Sequence, residues 1–238
     1  MVVRASALLA LAGDLAAYYA FADRLEPLPL WGDVAVIGLG VIPATFALVY
    51  LALPLRTSRL LLVGTIVLID LAVYLELADH DLAANFVKLA AATGAAWFFL
   101  RFFEDVSWIV LVAFLIIPID AISVARGPTR TLIEEQPHVF DYLSLSFPAP
   151  GREGLAQLGL PDVLFFALFL GAADRFGLRR ELTWAACTLS FTLTLVIGSG
   201  FAVEGVPGLP LLSAGFLAAN GDLLWGRLRA RRTARPTP

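Results

Sequence analysis

Trp108–Val124 reads WIVLVAFLIIPIDAISV, and Gly159–Phe176 reads GLPDVLFFALFLGAADRF. Each run has nearly the length and apolarity of a membrane helix, and each contains an acidic residue, Asp120 in the first and Asp162 in the second. A charged side chain in hydrocarbon costs about 2.5–3.5 kcal/mol or more. Such a residue is expected to face protein or a water-filled cavity and to serve a function. Both aspartates lie a few residues from the same long connection, about 6–9 Å down their helices at the α-helical rise per residue. Two carboxyl groups at one depth can share a proton and activate a water, which is the equipment of an aspartic protease.

The rest of the chain sets the frame. It is 59% hydrophobic and 16% charged over 238 residues, with a mean hydropathy of +0.82. At ~20 residues per spanning helix there is room for about eight. The fold expected is all-α, a polytopic membrane helix bundle. The helices are expected at about Val3–Phe21, Val34–Leu53, Leu60–Leu77, Leu82–Phe99, Val106–Val124, Gly159–Phe176, Leu182–Val203 and Pro207–Leu224. They make a single transmembrane domain over residues 1–226, with a four-helix part at 3–105 and a second part at 106–226. The apolar start of the chain carries Asp14 and is expected to be an uncleaved first helix.

The longest connection, 125–157, contains Pro128, Pro137, Pro148 and Pro150 and is not one continuous helix. Within it, Thr129–Glu135 suits a short amphipathic turn and Tyr142–Phe147 alternates like a strand. Residues 227–238 are expected to form a basic disordered tail.

Arginine placement orients the helices. With eight spans, Arg4, Arg56, Arg59, Arg175, Arg179, Arg180 and the tail arginines fall on one side, expected to be cytoplasmic together with both termini. Glu26, Asp33, Glu76, Asp79, Asp81 and Glu204 fall on the other. Asp70 and Lys88 lie at similar depth in neighbouring helices and are expected to form a structural ion pair. An alternative makes Asp14, Asp70 and Lys88 the ion pathway of a small transporter.

Other chemistries find little footing. The single cysteine, Cys187, excludes an intrachain disulfide. His80 and His138 are too few and too far apart for a histidine-rich metal site. Gly198-Ser199-Gly200 hints at a serine nucleophile, but no span holds a histidine to act as its base. A net charge of −3 says little by itself, because the distribution of arginine is what counts; no nucleic-acid partner is expected. Nothing calls for a cofactor.

The residues around the aspartates resemble the presenilin and signal peptide peptidase family of intramembrane aspartic proteases. Ile119-Asp120-Ala121-Ile122-Ser123-Val124, followed by Gly127-Pro128-Thr129-Arg130 and Leu132-Ile133-Glu134, is similar to that family's first catalytic region. Gly159-Leu160-Pro161-Asp162 resembles its Gly-x-Gly-Asp motif, and Pro207-Gly208-Leu209-Pro210 resembles its Pro-Ala-Leu motif. The three occur in family order over about residues 106–220. Ile119 replaces the family's tyrosine, Pro161 its second glycine and Gly208 its alanine.

The resemblance implies Asp120 and Asp162 as the catalytic pair. Gly159, Leu160, Pro161, Pro207, Gly208 and Leu209 would position substrate. It further implies a family fold without its first helix, helical membrane segments as substrates and the lipid bilayer as surroundings. The expected cytoplasmic C-terminus matches signal peptide peptidases, which implies substrates with cytoplasmic N-termini. The residues alone leave a second alternative, a non-catalytic relative that binds membrane helices, favoured by Ile119 and Pro161. Short loops fit a prokaryotic plasma membrane.

Overall fold

The computed structural model describes residues 2–127, 137–201 and 206–234. Eight long helices follow the expected order: α1 Val2–Phe21, α2 Leu30–Thr57, α3 Leu61–Leu77, α4 Asp81–Phe99 and α5 Val106–Arg126, then α7 Leu160–Arg175, α8 Arg180–Phe201 and α9 Leu209–Ala234. Between α5 and α7 lie a short helix, α6 Pro137–Tyr142, and a hairpin of β1 Ser144–Ala149 and β2 Arg152–Gly159. Among the described residues five segments are long and apolar enough to cross a membrane: Val3–Arg24, Leu30–Thr57, Asp81–Phe102, Val106–Arg126 and Arg180–Phe201. Thr129–Glu135, expected to form an amphipathic turn, lies outside the described residues.

The core is organised around α7. Its residues Phe166–Ala173 are all buried, and α4, α5, α8 and α9 pack on it. A helix of 16 residues is about 24 Å long, less than the ~30 Å of a bilayer core. Enclosed by other helices, it has no need to match lipid thickness. Phe166 meets Phe46 of α2 at 4.0 Å between ring centroids, and Phe169 stacks on Phe216 of α9 at 4.6 Å. Trp97 of α4 donates its indole N–H to the Ala167 carbonyl at 3.1 Å. Gly171 admits that ring, since a Cβ there would lie 2.8 Å from Trp97 Cδ1. In α2, a π-helical turn at Ile37–Val41 precedes Pro43, which has no N–H to give. The Gly38 carbonyl in that turn accepts the Thr192 hydroxyl of α8 at 2.6 Å.

The two ends of the bundle differ in charge. At one end Arg56 pairs with Asp174 at 2.8 Å and Arg179 with Asp222 at 2.6 Å. There too Arg227 donates to the Phe176 carbonyl at the C-terminus of α7, where a cation offsets the negative end of the helix. At the opposite end Glu76, Asp79, Asp81 and Asp141 border one cavity of about 590 Å3, beside the hairpin.

The chain is mostly helical, in keeping with the expected helix bundle, with one two-stranded hairpin added at 144–159. Two expectations need correction. Residues 227–234 continue α9 as helix rather than forming a disordered tail. Lys88 pairs with Glu76, not with Asp70. Depth was matched, but Asp70 is on an exposed face of α3. The flexible lysine stem instead reaches toward the polar end of the bundle.

Lys88 also donates to the Asp141 carbonyl at 3.2 Å, which ties the helical hairpin α3–α4 to the segment before β1. Side-chain exposures of 6% and 14% make the Lys88–Glu76 pair a buried one. Removing one partner strands the other charge, so Glu76→Gln is expected to destabilise the protein by about 3 kcal/mol. Lys88→Met combined with Glu76→Leu should recover most of that loss. Unfolding midpoints of wild type and the two variants in detergent check this; a double variant as unstable as the single one would contradict it.

Candidate active site

Asp120 sits near the C-terminal end of α5, two residues after Pro118, the proline inside that helix. Proline leaves the carbonyl four residues back without its donor and loosens the helix there. Asp162 is the third residue of α7. Its carboxyl group faces the Gly159 backbone just ahead of the helix, the place where a third-position acid satisfies a free N–H. Pro161, which departs from the family motif, occupies the first turn of α7 and is exposed, a position that suits proline.

A third segment brings the two aspartates together. Leu209, the first residue of α9, donates its N–H to Asp120 Oδ2 at 3.2 Å. This satisfies one of the donors that every helix start leaves free. The preceding residue, Gly208, lies against Asp162, and a Cβ there would be 2.8 Å from Oδ1. Thus consecutive residues of one backbone segment touch the two carboxyl groups. Asp162 lies in the first turn of α7 and Asp120 accepts from the first residue of α9, so each acid sits at the positive end of a helix.

Asp162 Oδ1 is buried with no hydrogen-bond partner among the described residues. A buried carboxyl oxygen is stable when it carries a proton or accepts one from water. Asp120 is half-buried. Its neighbours Ile119 and Ile122 are 64% and 65% exposed, so the carboxyl group opens near a strongly apolar outer face. Ile119 contributes its side chain to that face. No family model, curated protein or solved structure matches the chain.

The hairpin leads into this site, since β2 ends at Gly159, three residues before Asp162. Leu160 N–H bonds the Leu143 carbonyl, and Ser146 pairs opposite Gln157. Ser146 turns its own N–H and carbonyl away from β2, to the Asn85 side chain at 3.1 and 3.2 Å. Pro148 has no N–H, and its carbonyl accepts the Tyr18 hydroxyl at 2.8 Å. The outer edge of β1 is therefore occupied by side chains of α1 and α4. By the alternation of an antiparallel ladder, Gln157 turns its backbone N–H and carbonyl outward from β2. Among the described residues no further strand pairs there. Neither Asn85 nor Tyr18 was singled out from the sequence; the signal was a lone amide within an apolar helix.

Of the other residues marked from sequence, Leu160 opens α7, and Pro207 immediately precedes Gly208. Asp14 and Asp70 lie on exposed faces of α1 and α3, while Lys88 is buried in its ion pair. The transporter alternative loses the cluster it needs. Among the described residues no group of three or more His, Cys, Asp or Glu is placed to hold a metal.

Proposed function

We propose that this chain is an intramembrane aspartic endopeptidase of the presenilin and signal peptide peptidase type. The observation that carries the proposal is the meeting of Asp120 and Asp162 on Gly208–Leu209. The ionised aspartate takes a proton from water, and the protonated one polarises the scissile carbonyl. The hydroxide oxygen adds to the carbonyl carbon. The carbon–nitrogen bond then breaks as the amine receives a proton from the pair. No metal or organic cofactor enters this scheme.

The substrates are helical membrane segments, which must unwind to expose a carbonyl. The outward edge of β2 is the place for the unwound segment, because an added strand there runs toward Asp162. All eight long helices span the bilayer of a prokaryotic plasma membrane, with the arginine-rich end cytoplasmic. A reporter fused after Arg232 should then read cytoplasmic, and one inserted in Gly151–Gln157 external; the reverse pattern would refute the orientation.

The direct test is cleavage of a panel of membrane-helix peptides in bilayers by wild type, Asp120→Asn and Asp162→Asn. Cleavage by wild type alone supports the proposal. No cleavage by wild type across the panel would favour a non-catalytic helix-binding relative. Gly208→Ala probes the geometry in the same assay. It restores the residue common in the family, yet its methyl group would lie 2.8 Å from Asp162 Oδ1. A displacement of one reacting group by about 1 Å costs about a hundredfold in rate. Cleavage should fall by that order with insertion unchanged; full activity would show that the carboxyl group moves freely.

A further inference from the structure

At the arginine-rich end, away from the aspartates, a cavity of about 290 Å3 is lined by Arg56, Arg59, Arg101 and Arg175, with Ser58 and Leu100 among its other residues. The four arginines come from three places: the end of α2 with the turn that follows it, the connection after α4 and the last turn of α7. No carboxylate among the described residues lines the cavity. Asp174, which pairs with Arg56, is shared with Arg180 at 3.7 Å. Several donors remain unused. A guanidinium has five N–H groups. Arg101 gives one to the Ser58 carbonyl at 2.6 Å, and Arg175 gives one to the Leu100 carbonyl. Arg56 Nε is buried without a hydrogen-bond partner among the described residues.

The chain beside these arginines is apolar and open. Leu55 and Leu60 are 60% and 71% exposed, and Phe99 and Phe102 are 46% and 68% exposed. Four cations around a recess, next in sequence to exposed apolar side chains, match an anion that carries hydrocarbon. Guanidinium forks suit phosphate oxygens, and basic recesses between membrane helices hold anionic headgroups.

We propose that this cavity is a phosphate-binding site filled by the headgroup of an anionic membrane lipid, whose acyl chains lie along Leu55, Leu60, Phe99 and Phe102. The bound phosphate accepts from the buried Arg56 Nε–H and ties the α2–α3 connection to the end of α7.

The test uses the purified full chain in micelles holding equal amounts of phosphatidylcholine and phosphatidylglycerol, with retained lipid counted by native mass spectrometry. Wild type should retain phosphatidylglycerol in preference to phosphatidylcholine. Arg59→Gln and Arg101→Gln should each weaken retention about fivefold. Arg229→Gln, a loss of the same charge outside the cavity, should leave it unchanged. Arg59 is exposed, so Arg59→Gln is expected to melt like wild type, and its effect on lipid then reports the site. A second arm adds inorganic phosphate. Displacement of the lipid at comparable concentration would keep the site and make a soluble phosphate its source. Lack of preference for phosphatidylglycerol, or an equal loss with Arg229→Gln, would show only diffuse surface charge and overturn the proposal.

Discussion

Asp120→Asn and Asp162→Asn should each reduce cleavage of a membrane-helix peptide by on the order of a thousandfold, within the range that a positioned acid or base contributes. The substitutions are mild in shape. Asparagine at 120 still offers an oxygen to the Leu209 N–H, so the start of α9 keeps its partner. Asparagine at 162 likewise offers an oxygen toward the Gly159 backbone. Neither adds a charge to the apolar interior, so insertion and folding should match wild type. What is lost is the exchangeable proton. Each aspartate is useless without the other, so the double variant should be no worse than either single one. Amounts of folded protein must be compared alongside turnover. Wild-type-like turnover by either variant would eliminate the two-aspartate mechanism.

Gln157→Pro should silence cleavage while both aspartates remain in place. The Gln157 N–H points outward from β2, so proline removes a donor from the open edge without taking one from the ladder to β1. An incoming strand loses its hydrogen bond and meets the pyrrolidine ring. The variant also loses the side-chain bond from Gln157 to Asp141, 2.6 Å long. Gln157→Ala loses that bond too but keeps the backbone N–H, and it separates the two causes. Alanine should retain most activity and proline almost none. Equal activity of the two variants would mean that substrate is not held on this edge.

How much of this was legible in the sequence differs from element to element. The eight long helices were readable because long apolar runs separated by proline and charge leave little choice. The approach of Asp120 to Asp162 could be argued from their distance to one shared connection. The choice of Glu76 over Asp70 could not. α3 is apolar on every side, so its sequence does not say which face a lone aspartate occupies. The hairpin was half visible, because Tyr142–Phe147 alternates while its partner strand begins in a polar stretch, Arg152–Glu153. The helical continuation of α9 is hidden in the sequence because a run of arginines reads as solvated tail, although arginine is a good helix former. The resemblance marked Gly208 and Leu209 but not their division of labour, one giving room to Asp162 and the other an N–H to Asp120.

The clamp on β1 bears on how the molecule assembles. The Tyr18 hydroxyl reaches Pro148 across 130 positions of sequence, and Gly151 N–H bonds the Ala22 carbonyl at 2.8 Å. Gly151 adopts a φ of +63° in the turn between the strands, where its missing Cβ lets it lie against Leu25 and Pro27. α1 is otherwise lightly packed, with 11% of its apolar stretch buried. Contacts of such long range form late, since the intervening chain must be ordered before they are rewarded. During synthesis α1 can pack on α2 early, but it is expected to complete its docking only when the hairpin closes over it.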